Sequence, residues 1–232
     1  MVATPLAEQG GDVRVVLSTV IVVGYFLVSL IAASHAWGAR RVTIAAAAVV
    51  ALTWVIERVG STTGFPFGEY DYMGALQPHV LGVPAIVPLA WWGIGLAARE
   101  VSVAVIGGRG VFARVMVGAI ALTAWDAFLD PQMVAEGYWV WAAGGAYRGI
   151  PLSNYLGWLV SSALVMAVLE FLVPPRRDPQ RTPVVLYAFV AIMETIAFAF
   201  FFDDVLVAVV GGVAMVPLSV LALRRTFRST RV

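Results

Sequence analysis

The sequence contains no cysteine and no lysine. Its 232 residues include 15 basic side chains, all of which are arginine. Without cysteine there are no disulfide bonds, no thiolate catalysis and no cysteine-ligated zinc or iron–sulfur clusters. Without lysine there is no Schiff base to retinal or pyridoxal phosphate, so a seven-helix chain of this kind is not a retinal-binding opsin.

Charged residues are also scarce. They make up 12% of the chain, and hydrophobic residues make up 61%, whereas about a quarter of a soluble globular chain is charged. The formal net charge is only +1, and apolar stretches interrupt the basic clusters, which argues against nucleic-acid binding. We therefore predict an all-α, multi-pass protein of the cell membrane, with residues 1–232 forming a single transmembrane helical domain.

Seven apolar runs approach the length of about 20 residues that a membrane-spanning helix needs. The predicted spans are residues 13–34, 41–59, 80–98, 111–129, 152–173, 183–202 and 205–223. The last break falls at Asp203 and Asp204, with no glycine or proline turn, so six helices are the alternative there. We interpret these two acids as solvated turn residues.

The arginines predict an orientation. Three of them (Arg14, Arg58 and Arg148) fall on one predicted face. The positive-inside rule assigns the other face to the cytoplasm, with the N-terminus outside and the C-terminus inside. That face carries twelve arginines: Arg40, Arg41, Arg99, Arg109, Arg114, Arg176, Arg177, Arg181, Arg224, Arg225, Arg228 and Arg231.

Four acids are the candidates for chemistry. Glu57 ends the second run, Asp126 and Asp130 lie near the end of the fourth, and Glu194 lies within the sixth. The two aspartates are four residues apart and so share a helix face. Because an ionised carboxylate near the membrane centre costs about 2.5–3.5 kcal/mol on insertion scales, such acids are by default interpreted as functional.

Structural explanations compete with this interpretation. Glu57 could be an interfacial residue paired with Arg58 or Arg148. Asp130 precedes a proline and could simply end a helix. An interfacial aromatic belt is the corresponding explanation for the tryptophans, which are Trp54, Trp91, Trp92, Trp139, Trp141 and Trp158.

Buried carboxyl groups and aromatic rings, with no cofactor motif, suit acid chemistry on a lipid-soluble polyene or isoprenoid. Protonating an alkene gives a carbocation, which each aromatic face can stabilise by roughly 0.5–2 kcal/mol. Water then gives an alcohol, whereas proton loss gives a rearranged alkene or a ring; a second carboxylate or Asn154 could position the water. A shared metal site is not expected, because His35 and His79 lie on opposite predicted faces.

Two blocks of the sequence carry a family resemblance. The first spans residues 57–72 and contains Gly-x-x-x-Gly-Phe-Pro-Phe-Gly-x-Tyr-x-Tyr, followed by Gly82-Val83-Pro84, Pro88 and Ala90-Trp91. The second contains Asp126 to Pro131, Gly137, Trp139, Trp141, Tyr147, Gly149-Ile150-Pro151, Asn154-Tyr155 and Gly157-Trp158. Over about residues 50–160 the chain resembles the membrane carotenoid-biosynthesis family that contains the acyclic carotenoid hydratases, which act on γ-carotene or on bisanhydrobacterioruberin-type precursors.

The resemblance implies a cofactor-free and metal-free carbon–oxygen lyase that adds water to the terminal C=C bond of a ψ end group and leaves a tertiary hydroxyl. Its partners would be a carotenoid substrate, membrane lipids and other carotenoid-pathway enzymes. The proton donor is expected among Glu57, Asp126, Asp130 and Glu194. The residues expected to bind substrate are Phe67, Tyr70, Tyr72, Trp91, Trp139, Trp141, Asn154, Tyr155 and Trp158.

Three alternatives stay open. A lycopene-type cyclase would share the protonation step but trap the cation with an internal alkene. An intramembrane prenyltransferase could use Asp126 and Asp130 to bind magnesium and a diphosphate, although only Arg14, Arg58 and Arg148 are predicted on that face to neutralise it. A non-enzymatic pigment-binding membrane protein would need no proton donor.

Overall fold

The computed structural model describes residues 7–107, 109–176 and 178–228. This part of the chain forms seven helices that are each long and apolar enough to cross a membrane, which confirms the predicted class. The helices are α1 (Asp12–Trp37), α2 (Ala39–Thr63), α3 (Ile86–Ile106), α4 (Val111–Ala135), α5 (Leu152–Leu172), α6 (Arg181–Phe200) and α7 (Val205–Arg228). Four short strands accompany them, β1 (Tyr70–Tyr72), β2 (His79–Val80), β3 (Val83–Pro84) and β4 (Trp139–Trp141).

The third helix is the centre of the bundle. It contacts all six other helices, and 78% of its apolar window is buried, compared with 6% for α1. A helix that is apolar on every side packs well in such a central position. The first helix instead lies at the edge, where most of its surface is available to lipid.

Helix α3 is displaced from its predicted span. It begins at Ile86, six residues after the predicted start, because residues 79–84 form the β2–β3 hairpin, in which His79 is opposite Pro84. Leu81 and Gly82 turn this hairpin with positive φ angles of 49° and 85°. The apolar composition of Val80–Val83 therefore reflects a short hairpin and not the first turn of a helix.

At its other end α3 continues past residue 98 because its charges are neutralised within the bundle. Arg99 and Glu100 are both 1% exposed and form an ion pair with each other. Glu170 of α5 lies 3.7 Å from Arg99 and 2.8 Å from Arg114 of α4. A buried charge is tolerated when it is paired and hydrogen-bonded, so this network joins α3, α4 and α5.

The structure also decides two helix ends that the sequence left open. The interpretation of Asp130 as a helix stop is wrong, because α4 continues through Pro131 to Ala135. Between α6 and α7 the break is real: α6 ends at Phe200, and Asp204 caps α7 by accepting a hydrogen bond of 3.1 Å from the Val207 N–H. The described residues therefore form seven helices, not six.

The connections divide the bundle into two ends. One end carries the four strands and is called the strand end. There β1 pairs antiparallel with β4, with Tyr70 opposite Trp141 and Tyr72 opposite Trp139, so the two long connections form one small sheet that the sequence did not predict. The other end is called the arginine end and carries ten of the twelve arginines assigned to one face; Arg177 and Arg231 lie outside the described residues. The orientation of these ends in a membrane stays a prediction.

Candidate active site

The segment that follows α2 folds back against that helix through a clamped phenylalanine. The Phe67 ring lies between Gly60 of α2 and Gly157 of α5, where a Cβ at either glycine would come within 2.7 Å of a ring carbon. A Cβ at Gly60 would also lie 3.0 Å from the Tyr70 hydroxyl oxygen. These two glycines therefore permit the close approach that brings β1 next to Glu57.

Glu57 accepts hydrogen bonds from three side chains. The Tyr70 and Tyr72 hydroxyls lie 2.8 Å and 2.7 Å from Glu57 Oε2, and the Trp91 indole N–H lies 3.0 Å from Oε1. Glu57 is buried, and the proposed pairing with Arg58 or Arg148 is not found: Arg148 instead forms an ion pair of 2.6 Å with Asp204. Three donors around one carboxyl group suit its ionised form.

Asp126 and Asp130 form a pair that shares one amide. The Asn154 side-chain amide donates to Asp126 Oδ2 at 2.9 Å and also to Asp130 Oδ2. The Trp139 indole N–H donates to Asp130 Oδ1 at 3.2 Å. The aspartates are 0% and 2% exposed, and in the described part of the chain neither forms an ion pair with an arginine. Asp126 and Asp130 therefore share one helix face, as predicted, and their carboxyl groups lie close together, facing α5 and β4.

This acid cluster borders a cavity, here called the acid chamber, with about 710 Å³ of empty space when the space at its mouth is included. Asp130 and Glu57 both line the chamber, whereas Asp126 lies behind Asp130. Eight of the nine predicted binding residues line it with them: Phe67, Tyr70, Tyr72, Trp91, Trp139, Trp141, Asn154 and Trp158.

Aromatic rings form much of the chamber wall. Trp91 and Trp158 are stacked, with ring centroids 4.2 Å apart and an interplanar angle of 11°. Trp125 meets the edge of this stack at 6.0 Å and 79°. Because the five tryptophans at positions 91, 92, 139, 141 and 158 are buried, an interfacial aromatic belt does not describe them.

Several wall residues were missed from the sequence. Trp125, Leu129 and Met133 line the chamber from α4, spaced as i, i+4 and i+8, the periodicity of one helix face. This stripe lies beside the face of α4 that carries Asp126 and Asp130. Its spacing was therefore the sequence signal that could have identified these three residues. The other missed residues are Ser18, Val22, Leu76, Ile86, Val87 and Ala90.

Two predicted residues lie apart from this wall. Tyr155 is not among the residues lining the acid chamber; its ring instead meets that of Tyr147 at 6.0 Å. Glu194 lines a second cavity, here called the Glu194 chamber, which has about 860 Å³ of empty space and is bordered by α1, α3, α4 and α6. The structure therefore brings three of the four candidate acids together and separates the fourth.

The surroundings at the strand end make the tyrosine hydroxyls weaker acids than usual. Burial, followed by the negative charge of Glu57, raises the pKa of Tyr72 well above its ordinary value. Burial also raises the pKa of Tyr70, again with Glu57 as the second cause, and it raises that of Tyr147 to about 12. Tyr70 and Tyr72 therefore remain neutral hydrogen-bond donors at any physiological pH.

Together, the seven apolar helices and the buried carboxyl and aromatic cluster define a multi-pass helical membrane protein with a largely apolar cavity beside buried acids. The chain belongs to the carotenoid biosynthesis protein family, whose family model matches residues 11–223. It is also similar to the bisanhydrobacterioruberin hydratase of Haloarcula japonica, with 33% identity over 135 residues. That match covers 57% of this chain and 46% of the relative, so the chain spans less than half of the relative's length. No solved structure matches this chain significantly.

Proposed function

We propose that this protein is a carotenoid hydratase that adds water to the terminal C=C bond of an acyclic polyene end group. Membership of a carotenoid biosynthesis family and similarity to a protein named as a hydratase support a carotenoid-modifying role. The observation that carries the proposal furthest is the arrangement of Asp130 and Glu57, two differently hydrogen-bonded carboxyl groups, on the wall of one aromatic chamber.

Asp130 is the proposed proton donor. Two ionised carboxylates sharing the amide of Asn154 would repel each other at close range in a buried site. Since no arginine pairs with them in the described residues, we expect Asp126 and Asp130 to share one proton. Asp130 is the member of the pair that lines the acid chamber, so Asp130 transfers the proton to the substrate. The negative charge left after this transfer is spread over both carboxyl groups of the pair.

The proton adds to the less substituted carbon of the alkene, and the π electrons form the new C–H bond. A tertiary cation results on the other carbon, and the aspartate pair becomes fully ionised. The oxygen of a water molecule then forms a bond with this cation and the resulting oxonium loses a proton to the aspartate pair. The product is a tertiary alcohol and the protonated pair is restored, so no cofactor is consumed.

Glu57 and the aromatic wall are proposed to stabilise the cation. Glu57 is surrounded by three donors that favour its carboxylate form, and a fixed negative charge in a water-poor site stabilises developing positive charge strongly. The faces of Trp91, Trp158 and their neighbours each contribute roughly 0.5–2 kcal/mol of cation–π stabilisation. In this proposal the proton donor, Asp130, and the acid that stabilises the cation, Glu57, are therefore different residues.

The prenyltransferase alternative has less support. A diphosphate with magnesium needs accessible acids and nearby cations, but Asp126 and Asp130 are almost fully buried and both accept from Asn154. Arg148 is occupied by Asp204, and Arg14 is paired with Glu136. The burial and hydrogen bonding of the acid pair therefore favour the proposed proton transfer over magnesium binding.

Expression in a lycopene-producing bacterium, followed by mass analysis of the pigments, tests the proposal. A hydratase adds one water per modified end, a cyclase gives an isomer of unchanged mass, and a transferase adds an isoprenyl unit. Unchanged pigment would leave only a binding role and would overturn the proposal.

The donor is tested with Asp130→Asn, because an amide cannot supply the proton. We expect hydration to fall by about 10²–10⁴-fold, the usual contribution of a general acid. Asp71→Asn is the matched control, since Asp71 lies in β1 but is exposed. Full activity in Asp130→Asn would assign the proton to another group.

A further inference from the structure

The Glu194 chamber adjoins the acid chamber. The two cavities share six lining residues: Ser18, Val22, Ala90, Trp125, Leu129 and Met133. These side chains, from α1, α3 and α4, lie between the cavities and are here called the neck. A linear molecule with one end near Asp130 would have to pass them to reach α6.

The lining of the Glu194 chamber is mostly apolar and includes Ile94, Val190 and Met193. Glu194 lines the chamber without a hydrogen-bond partner among the described residues, and no arginine is among the described residues that line it. A carboxyl group in an apolar wall disfavours fatty acids and diphosphates, whether by repulsion or by desolvation. The chamber therefore suits a neutral, elongated and apolar ligand.

The strand end of the Glu194 chamber is covered by the segment before α1. Arg14 forms an ion pair with Glu136, and the Gly10 N–H donates to the same carboxylate at 2.8 Å. The Arg14 guanidinium also lies 5.5 Å from the centroid of Phe202, which lines the chamber. These contacts hold the start of α1 and the residues before it against this end of the chamber.

The side between α1 and α6 is less tightly closed. Both helices line the Glu194 chamber, α1 through Ile21 and α6 through Ala197, yet they contact each other only sparsely. Helix α1 is also the least buried of the seven. A long apolar chain in the chamber can therefore continue between these helices into the hydrocarbon of the bilayer.

We propose that the Glu194 chamber binds the unreacted, neutral polyene chain of the substrate whose end group occupies the acid chamber, and that this chain leaves between α1 and α6 into the membrane. The proposal rests on the function proposed above. It makes Glu194 a lining residue of the chain-binding site and not the proton donor.

The absence of cysteine permits a direct binding test. Met193 lines the chamber, whereas its neighbour Ile192 is 46% exposed on the outside of α6. Single variants Met193→Cys and Ile192→Cys, reconstituted in lipid nanodiscs, are treated with a membrane-permeable thiol reagent with and without lycopene. At lycopene concentrations ten times its Kd, alkylation at position 193 is expected to slow about tenfold, with no change at position 192.

Equal alkylation with and without lycopene at position 193, or equal protection at both positions, would overturn the proposal. Ala197→Cys gives a second reporter in the same chamber if Met193→Cys folds poorly. Protection reports binding and does not depend on catalysis. Protection without hydration would therefore refute only the proposed function, and hydration without protection would refute only the chain-binding site.

A neck variant tests continuity of the two chambers. In the Met193→Cys background, Ala90→Leu narrows the neck and is expected to weaken protection by lycopene severalfold. Ala47→Leu is the control because Ala47 is exposed on α2. Undiminished protection in Ala90→Leu would show that the chain reaches the Glu194 chamber without passing the acid chamber, which contradicts the proposed path.

Discussion

The role assigned to Glu57 makes Tyr72→Phe an informative variant. The change removes only the hydroxyl that lies 2.7 Å from Glu57 Oε2 and keeps the ring. A hydrogen bond to a charged group contributes about 1.5–3 kcal/mol. At about 1.4 kcal/mol per factor of ten, loss of this bond is expected to lower kcat by up to roughly 10- to 150-fold, because the Glu57 carboxylate loses part of its stabilisation.

The assay is the initial rate of hydration by purified protein in nanodiscs, with Tm measured on the same samples. Tyr147→Phe is the matched control, since the Tyr147 hydroxyl donates to the backbone oxygen of Ala127 at 2.9 Å and not to an acid. It should cost about 0.5–1.5 kcal/mol of stability and leave kcat near wild type. A wild-type rate in Tyr72→Phe, or equal loss of rate in both variants, would refute the assignment of Glu57 as a charged stabiliser.

Two further predictions concern packing and pH. Gly157→Ala places a methyl group 2.7 Å from the Phe67 ring. It is expected to lower the free energy of unfolding by about 1–3 kcal/mol and to weaken substrate binding, measured as Tm and KM. Gly24→Ala is the control and should leave both unchanged, because a Cβ at Gly24 meets nothing within 4 Å. The second prediction concerns Asp204. Burial raises the pKa of its carboxyl group, but hydrogen bonds from Arg148 and from α7 backbone N–H groups outweigh burial and lower that pKa below its usual value. Its stabilising contribution is therefore present above the unfolded value of about 3.9 and lost as pH falls through the lower folded value. The Tm difference between wild type and Asp204→Asn should be constant above about pH 5 and shrink in stronger acid, and a difference that grows in acid would contradict this sign.

The number of helices was predictable because hydropathy alone defines runs of spanning length. The exact bounds were not, since they depend on tertiary contacts. Helix α3 continues through Arg99 and Glu100 only because Glu170 and Arg114 come from other helices to complete the ion network. The start at Ile86 likewise depends on the β2–β3 hairpin.

Part of the site was also predictable. The spacing of Asp126 and Asp130 requires a common helix face, and the intramembrane position of Glu57 marked it as a candidate. Its partners were not evident, because Tyr72 reaches Glu57 only after the segment following α2 folds back and β1 pairs with β4. The separation of Glu194 could not be predicted either, since it depends on how α6 packs against α1, α3 and α4.

The central claim is that the acid chamber uses a protonated carboxyl pair to add water to an alkene. Its most direct test is mass analysis of the product formed by the purified protein from an acyclic carotenoid in water labelled with heavy oxygen. The account predicts a tertiary alcohol with one labelled oxygen per modified end, formed by wild type and almost absent with Asp130→Asn. An unlabelled isomer of unchanged mass, or labelled alcohol formed equally well by Asp130→Asn, would contradict it.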